Sequence, residues 1–370
     1  MVGRAHGATA SLPQTRRLRL GSCGAPVAAD VGVLNFERKR MAEMTPNRKK
    51  QEYPRYKRTD APPQVALKHN RATYPAYLTA LHEYRYLTTR HFQAITEKEK
   101  QVYEPLNRLY HAGYVERRYL TDRPIFSGSP QTIHVLTVAG LKALMADQMS
   151  ADDRAVVQRR LDRSWHALEH ELAVSNFQVL LHAGARDSGQ ARLRRFDADK
   201  EEPGLELRTT LASSDGKTRT SVSRWADAYF EIATNWGLFN YLLEIDLDRL
   251  AHPRKRARLI DRFRAYAQIL KEERGQLADQ LGIRKVPNDK RTALVVPAIQ
   301  VLFVARTAAQ RDGLITIANE QRPHIGRPNF WFLAIEDYED MNPITAARRL
   351  FTEPLLRGLN NSPAHLVPRQ

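Results

Sequence analysis

The spacing of apolar residues predicts a compact helical region with a β-hairpin between residues 74 and 149. Leu78 and Leu81 recur at helical spacing and mark the inner face of a first helix. Phe92 and Ile95 mark the inner face of a second helix, a short distance further along the chain. The pattern therefore begins with two short amphipathic helices.

A third helix and two strands follow in the same region. Thr96 and Glu99 form a capping-box pattern, which predicts that the third helix begins there. Pro105 lacks an amide donor and kinks this helix unless it lies in the first turn. Gly113 suits the residue after the helix, and the alternating segments 114–119 and 133–136 suit two paired strands. Three helices and a β-hairpin in this order predict a winged helix-turn-helix.

Residues 150–340 alternate between helical and strand-like periodicity. The predicted elements run in this order: helix 164–183, strand segments near 192–211, strands 225–233 and 238–248, helix 256–272, strand 293–305, helix 309–321 and strand 330–336. The fold class is accordingly α/β (α+β), a winged helix followed by a mixed-sheet domain. Residues 1–73 are predicted as a disordered tail, since their apolar periodicity is weak, and residues 341–370 as a C-terminal tail.

The charge balance of the chain indicates a class of binding partner. The chain carries a formal net charge of +17, and residues 1–71 contain 15 Lys or Arg against 5 Asp or Glu, a net of +10. Such a surplus favours a polyanion such as nucleic acid, with an inert basic surface as the alternative. The single cysteine, Cys23, and the lack of a signal peptide or a continuous apolar span predict a cytoplasmic protein without membrane contact.

The outer side of the predicted third helix carries residue types that contact phosphates and base edges. These side chains, with two arginines from the wing, are the predicted DNA-binding set: Lys100, Tyr103, Asn107, Arg108, His111, Arg117 and Arg123. A winged helix that only docks another protein is the alternative interpretation.

Three acidic residues lie at the ends of two predicted neighbouring strands. Asp227 begins one strand, whereas Glu244 and Asp246 lie near the end of the next and share a face because strand side chains alternate. Clustered carboxylates suit Mg²⁺ or Mn²⁺, which can polarise a phosphodiester and activate water. Alternatively, Asp227 and Glu244 are structural and pair with Arg262 or Arg258.

These patterns resemble two known groups of proteins. The order helix-strand-strand-strand-helix-strand, with Asp227 and then Glu244 on adjacent strands, resembles the PD-(D/E)XK nuclease superfamily. Residues 75–340 more closely resemble the replication-relaxation family of plasmids and integrative elements. The matching motifs are His170-Glu171-Leu172-Ala173-Val174, Asp227-Ala228, Leu243-Glu244-Ile245-Asp246, and Arg262 followed by Tyr266.

The resemblance implies roles for individual residues. Asp227 and Glu244 correspond to the metal-binding acids of the superfamily, and Glu171 corresponds to an extra acid on the preceding helix. The lysine expected two residues after Glu244 is replaced by Asp246. Arg262 can supply displaced positive charge but cannot act as a base.

The resemblance also implies a function and partners. It implies a mobile-element protein acting on double-stranded plasmid or element DNA, with weak metal-dependent nicking and other replication or transfer proteins as partners. The alternative is a non-catalytic DNA-binding regulator on a degenerate nuclease-like scaffold. His166 to His170 also fits a short zinc-protease pattern, but polar residues on a partly buried helix explain it as well.

Overall fold

A computed structural model of the chain describes most of the sequence beyond residue 72. The described residues are 73–96, 102–119, 132–145, 148–198, 206–212, 219–247, 253–272, 274–283, 286–288, 291–295, 298–326, 329–340 and 342–367. The predicted basic tail, Glu99, Lys100 and Arg123 lie outside these residues.

The first region has the element order helix, strand, helix, helix, strand, strand. Its elements are α1 (Thr73–Tyr84), β1 (Tyr86–Thr88), α2 (Thr89–Thr96), α3 (Tyr103–His111), β2 (Val115–Tyr119) and β3 (Thr132–Leu136), followed by α4 (Val138–Met145). The three strands form an antiparallel sheet with β3 in the centre. Leu81, Phe92, Leu106 and Leu109 are fully buried, as the helical periodicity predicted.

The third helix begins later than the capping-box pattern predicted. Thr96 is the last residue of α2, where its hydroxyl donates to the Phe92 carbonyl, and α3 begins at Tyr103. The prediction failed because Thr96 fits a helix end as well as a helix start. The later start puts Pro105 in the first turn of α3, where its missing amide costs little. Gly113 follows the helix with a φ of +79°, as predicted.

Two helices connect the first region to the large sheet. They are α5 (Ala151–Asp162), which has a capping box at Ser150 and Asp153, and the long α6 (Trp165–Ser188). Helix α6 carries a glycine where a close contact requires one. A Cβ at Gly184 would lie 2.3 Å from the Phe351 ring and 2.7 Å from the Ala347 carbonyl oxygen, so no larger residue fits there.

A seven-stranded mixed sheet occupies the second region, and this confirms the predicted α/β class. Its strands, in spatial order, are β14 (Pro363–Ala364), β13 (Leu356–Arg357), β12 (Phe330–Ala334), β11 (Ile299–Ala305), β8 (Gly237–Asp246), β7 (Ala228–Thr234) and β4 (Ala191–Asp197). Strand β11 is parallel to both β8 and β12, whereas β7 runs antiparallel to both β8 and β4.

The remaining elements flank this sheet. They are the hairpin β5 (Glu206–Ala212) and β6 (Arg219–Trp225), α7 (Pro253–Glu272), α8 (Arg274–Gln280), the pair β9 (Val286–Asn288) and β10 (Arg291–Val295), α9 (Ala308–Glu320), α10 (Arg322–Ile325), α11 (Ile335–Tyr338) and α12 (Pro343–Thr352). None of the helices in the described part of the chain is long and apolar enough to cross a membrane.

Each face of the large sheet packs against its own set of helices. Phe230, Tyr241 and Leu243 face α6, α12 and the first region, forming one apolar core. Leu242 and Phe303 face α7, α8 and α9, forming a second core. Alternation along β8 therefore sends Glu244 and Asp246 to the side of α7.

Residues 342–367 are part of the folded region, whereas the sequence predicted a C-terminal tail over residues 341–370. Helix α12 packs along α6, and β13 and β14 extend the sheet from β12. Leu350, Leu356 and Leu366 are buried in the first of the two cores. The short, irregular apolar spacing after residue 352 gave no clear strand period, which explains the error.

Buried His91 is held in its neutral form by two hydrogen bonds. The Thr88 amide donates to Nδ1 at 3.2 Å, so Nε2 carries the proton and donates to Asn176 Oδ1 at 3.0 Å. Burial lowers the pKa of His91 from 6.5 to about 4, more than the Asn176 hydrogen bond raises it. If Nδ1 of His91 were protonated, its N–H would point at the N–H of Thr88, and the hydrogen bond between them would be lost.

We expect His91 to make the folded chain sensitive to mild acid. Because its folded-state pKa lies below 6.5, the unfolded chain takes up the proton first as the pH falls. Its contribution to stability is complete above pH 6.5 and is lost by about pH 4, amounting to ~3 kcal/mol. Thermal melts across this range should show a weaker pH dependence for His91→Gln than for the wild type. The same change at exposed His324 should leave the pH dependence unaltered; equal curves for all three proteins would contradict the assignment.

Candidate functional site

The acidic residues predicted from the sequence meet at the end of strand β8. Asp227 lies directly before β7, and its amide donates to the Leu243 carbonyl at 2.9 Å. Its carboxylate accepts the Ile245 amide at 2.8 Å, on the residue between Glu244 and Asp246. The structure thus brings Asp227, Glu244 and Asp246 together, and all three are at most 8% exposed.

Glu244 is bound by two side chains of helix α7. Arg262 Nη1 lies 3.0 Å from Glu244 Oε2, and the Tyr266 hydroxyl donates to Oε1. The Glu244 carboxylate raises the pKa of Arg262 well above its usual range, against the effect of burial, and Asp227 and Asp246 raise it further. All three carboxylates therefore stabilise the charged form of Arg262, which remains protonated at any relevant pH.

Asp246 is paired with a lysine that sequence reasoning missed. Lys255 Nζ donates to Asp246 Oδ1 at 2.5 Å from the first turn of α7. Lys255 and Arg262 are seven residues apart, two turns of the helix, so they point to the same side. The only sequence signal for Lys255 was this spacing from Arg262, which becomes informative once α7 is known to cover β8.

Asp227 also contacts the long helix α6. His170 Nε2 lies 3.1 Å from Asp227 Oδ2, and the His170 side chain is about one quarter exposed. The zinc interpretation required His166 and His170 to act together, but the side chain of His166 is outside the described residues. Within the residues that the structure describes, no group of three or more His, Cys, Asp or Glu side chains is arranged to hold a metal ion.

Glu171 does not join the acidic residues at β8. Its carboxylate accepts a hydrogen bond from Arg85 at 2.9 Å and lies 3.9 Å from Arg163. Glu169, two residues earlier on α6, pairs with Arg306. The extra acid implied by the resemblance therefore faces the first region of the molecule instead.

Each of the three carboxylates at β8 has at least one oxygen bound by a protein group. Arg262 and Tyr266 take both oxygens of Glu244, Lys255 takes Asp246, and His170 with the Ile245 amide takes Asp227. Carboxylates are suitable ligands for Mg²⁺ or Mn²⁺, but here their charge is balanced by cations of the chain itself. Binding of Mg²⁺ or Mn²⁺ at these residues stays a prediction.

Helix α3 presents the exposed part of the predicted DNA-binding set. Tyr103 is 65% exposed, Arg108 is exposed and pairs with Glu104, and Asn107 and His111 are half-buried. Arg117, in contrast, is 7% exposed in β2 and lies beneath these residues. The structure therefore groups four of the predicted side chains on one helix and places Arg117 in the interior behind them.

Comparison with known proteins gives one match. A model of the replication-relaxation family matches residues 78–280, more than half of the 370-residue chain. The matched segment runs from α1 to the end of α8 and includes both α3 and the acidic residues at β8. The family indicates a role in the replication or relaxation of mobile genetic elements. Searches of curated proteins and of solved structures found no match.

The ion pair between Arg262 and Glu244 should contribute strongly to folding. Arg262→Met leaves a carboxylate that is 3% exposed without its cation, so we expect a loss of ~3 kcal/mol in the free energy of unfolding. Urea denaturation measures this loss, and a double variant with Glu244→Gln should recover part of it.

The matched control is a similar pair at the surface. Arg256 pairs with Glu320, and both side chains are nearly half exposed, so Arg256→Met should cost no more than ~1 kcal/mol. Equal losses for the Arg262 and Arg256 variants would show that burial does not strengthen the pair at β8.

Proposed function

The chain belongs to the replication-relaxation family, and on that premise we propose that it binds double-stranded DNA of a mobile element through a winged helix-turn-helix. Helix α3 is the recognition helix in this proposal. The proposal rests on one observation: the outer face of α3 is polar and exposed, in a region that contains a three-stranded antiparallel sheet.

The arrangement of elements supports the winged-helix interpretation. Three helices and three strands follow the order helix, strand, helix, helix, strand, strand, and β2 and β3 form the hairpin after α3. The inner side of α3 is anchored by buried Leu106, Leu109 and Tyr110. An α-helix fixed in this way can insert its free side into the major groove, which is about 12 Å wide.

The side chains on α3 suit this role chemically. Arg108 can bind guanine or phosphate with two parallel hydrogen bonds, and Asn107 can bind adenine in the same manner. Glu104 neutralises Arg108 in the free protein, since the two form an exposed ion pair one helical turn apart. Such a pair is weak, so DNA can replace Glu104 at little cost.

We further propose that the acidic residues at β8 serve as a structural network in a non-catalytic scaffold. The support is that each acid has a partner of opposite or potential positive charge. Asp227 contacts His170, Glu244 pairs with Arg262, and Asp246 pairs with Lys255. Balanced charges of this kind stabilise a strand end against the repulsion that three clustered carboxylates would otherwise produce.

Metal-dependent nicking of DNA is a second candidate, favoured by a different observation. When the β5–β6 hairpin and the elements α8, β9 and β10 are left out, the order α6, β4, β7, β8, α7, β11 is the helix-strand-strand-strand-helix-strand order of the nuclease superfamily that the sequence resembles. Asp227 and Glu244 occupy adjacent strands at one edge of that arrangement. Binding of Mg²⁺ or Mn²⁺ there remains a prediction of the resemblance.

Substitutions on α3 test the primary proposal. Arg108→Ala should weaken binding of target DNA by ~1–3 kcal/mol if Arg108 contacts a base, and Asn107→Ala should act similarly. Glu104→Gln should strengthen binding, because it frees Arg108 and removes a negative charge facing phosphates. Fluorescence anisotropy with short duplexes measures all three effects.

The control for this series lies on a distant surface. Arg322 is exposed on α10, and Arg322→Ala removes the same charge without touching α3. If the α3 variants and Arg322→Ala bind DNA equally well, α3 is not the recognition helix.

Manganese titration distinguishes the two candidate roles of the acidic residues. A metal site would stabilise the wild type by ~2.7 kcal/mol at a hundredfold excess over the dissociation constant, and Asp227→Asn would lose this gain. The structural network instead predicts the same thermal response to Mn²⁺ in both proteins. It also predicts no nicking of supercoiled plasmid by either protein in the presence of Mg²⁺. Nicking by the wild type that Asp227→Asn abolishes would establish the second candidate.

A further inference from the structure

Arg117 occupies an unusual position for a cation. It lies in β2 behind helix α3 and is 7% exposed. Its guanidinium atoms Nε and Nη2 are buried and have no hydrogen-bond partner among the groups that the structure describes. Buried polar groups are almost always hydrogen-bonded, and an unsatisfied charged donor is especially unfavourable.

Aromatic rings surround the guanidinium group. Its central carbon lies 4.6 Å from the ring centre of Tyr110 and 6.0 Å from that of Tyr103. Tyr110 is buried, whereas Tyr103 is 65% exposed at the first residue of α3. The two rings attract the cation through their faces but offer no acceptor to its N–H bonds.

Among the described residues, the polar groups next to Arg117 place no negative charge against its guanidinium. Glu116 accepts a hydrogen bond from the Arg117 backbone amide at 3.2 Å, not from its side chain. His134 faces Arg117 across the hairpin and is buried; burial, and then the charge of Arg117, lower its pKa to about 3. His134 is therefore neutral and relieves none of the charge.

The free edge of the guanidinium identifies a matching ligand. Nε and Nη2 lie on one side of the planar group, so their N–H bonds run parallel and fit two oxygens of one phosphate. Tyr103, the exposed first residue of α3, has its ring over the guanidinium, so rotation of this side chain would uncover the group without disturbing the helix core.

We propose that Arg117 is a phosphate-binding residue that takes a DNA phosphodiester beside the recognition helix, with Tyr103 as the movable wall of its site. This inference rests on the proposed DNA-binding function. It adds a fixed anchor on the DNA backbone to the contacts that α3 makes with base edges. Such an anchor sets the position of α3 on the duplex but carries no sequence information.

The Arg117→Met variant separates this role from simple packing. Removing a buried cation whose Nε and Nη2 have no hydrogen-bond partner among the described groups should leave the melting temperature equal to or above that of the wild type. The same change should lower the affinity for duplex DNA about tenfold and reduce the slope of log K against log salt by ~0.9, the value for one phosphate. Arg117→Lys should fold normally, retain most of the salt slope and recover only part of the affinity.

Arg118→Met is the matched control on the opposite face of the same strand. The Arg118 side chain donates to the Arg163 carbonyl at 2.9 Å, and its loss should leave the salt slope for DNA unchanged. Each outcome is informative. A lower melting temperature for Arg117→Met with an unchanged salt slope would make Arg117 a packing residue and overturn the inference, while leaving DNA binding through α3 intact.

Two further measurements identify the source of the phosphate. Stabilisation of the wild type, but not of Arg117→Met, by inorganic phosphate alone, with equal DNA affinities, would overturn the assignment to DNA. Failure of the wild type to bind any duplex would overturn the proposed function itself. If Arg117→Met does not fold, the salt slope and affinity of Arg117→Lys decide the question.

Discussion

The buried ion pair between Arg85 and Glu171 is the contact on which the joining of the two regions depends. Arg85 follows α1 with a φ of +68°, in the left-handed region that non-glycine residues rarely adopt. Its side chain donates to Glu171 and to the Ala198 carbonyl, both at 2.9 Å. A strained backbone at a buried arginine persists only where such contacts determine its position.

Helix α6 extends this connection along its length. Ser175 donates to the Tyr84 carbonyl at 2.6 Å, Asn176 accepts from His91, and Arg186 donates to the Ala94 carbonyl at 3.0 Å. On its other side, Phe177 packs against Phe230 of the sheet. Because one rigid helix contacts both regions, the orientation of the first region relative to the sheet is fixed by buried polar groups as well as by apolar packing.

Sequence periodicity predicted the elements well where burial is one-sided. Leu106 and Leu109 revealed the inner face of α3, and the alternation along β8 correctly put Glu244 and Asp246 on one face. Capping patterns were less informative, because Thr96 bonds backward to Phe92 and ends a helix. A hydroxyl near a helix end satisfies either a preceding carbonyl or a following amide, and the choice depends on tertiary packing.

The partners of buried charges were the least predictable feature. The resemblance grouped Glu171 with the acids Asp227 and Glu244, but adjacent residues on a helix point about 100° apart, and His170 is the residue that contacts Asp227. Arg117 looked like an exposed wing residue, since nothing local indicates that two tyrosines of α3 cover it. Both placements depend on contacts between elements, which the local sequence pattern does not contain.

Asp246 stands where the nuclease motif has a lysine, and contacts between elements decide what this difference does to the charge of the site. Taken alone, the exchange adds negative charge to an already acidic strand end and removes the cation expected there. Helix α7 restores the balance, because Lys255 reaches Asp246 while Arg262, two turns later, reaches Glu244. The positive charge that the motif would place within strand β8 is supplied here by helix α7, which covers the strand. A cation that is paired with a carboxylate stabilises the fold, but it is less free to polarise a phosphodiester than a lysine aimed at open solvent. The acids at the end of β8 and the cations of α7 therefore form a charge-balanced set in the described part of the chain.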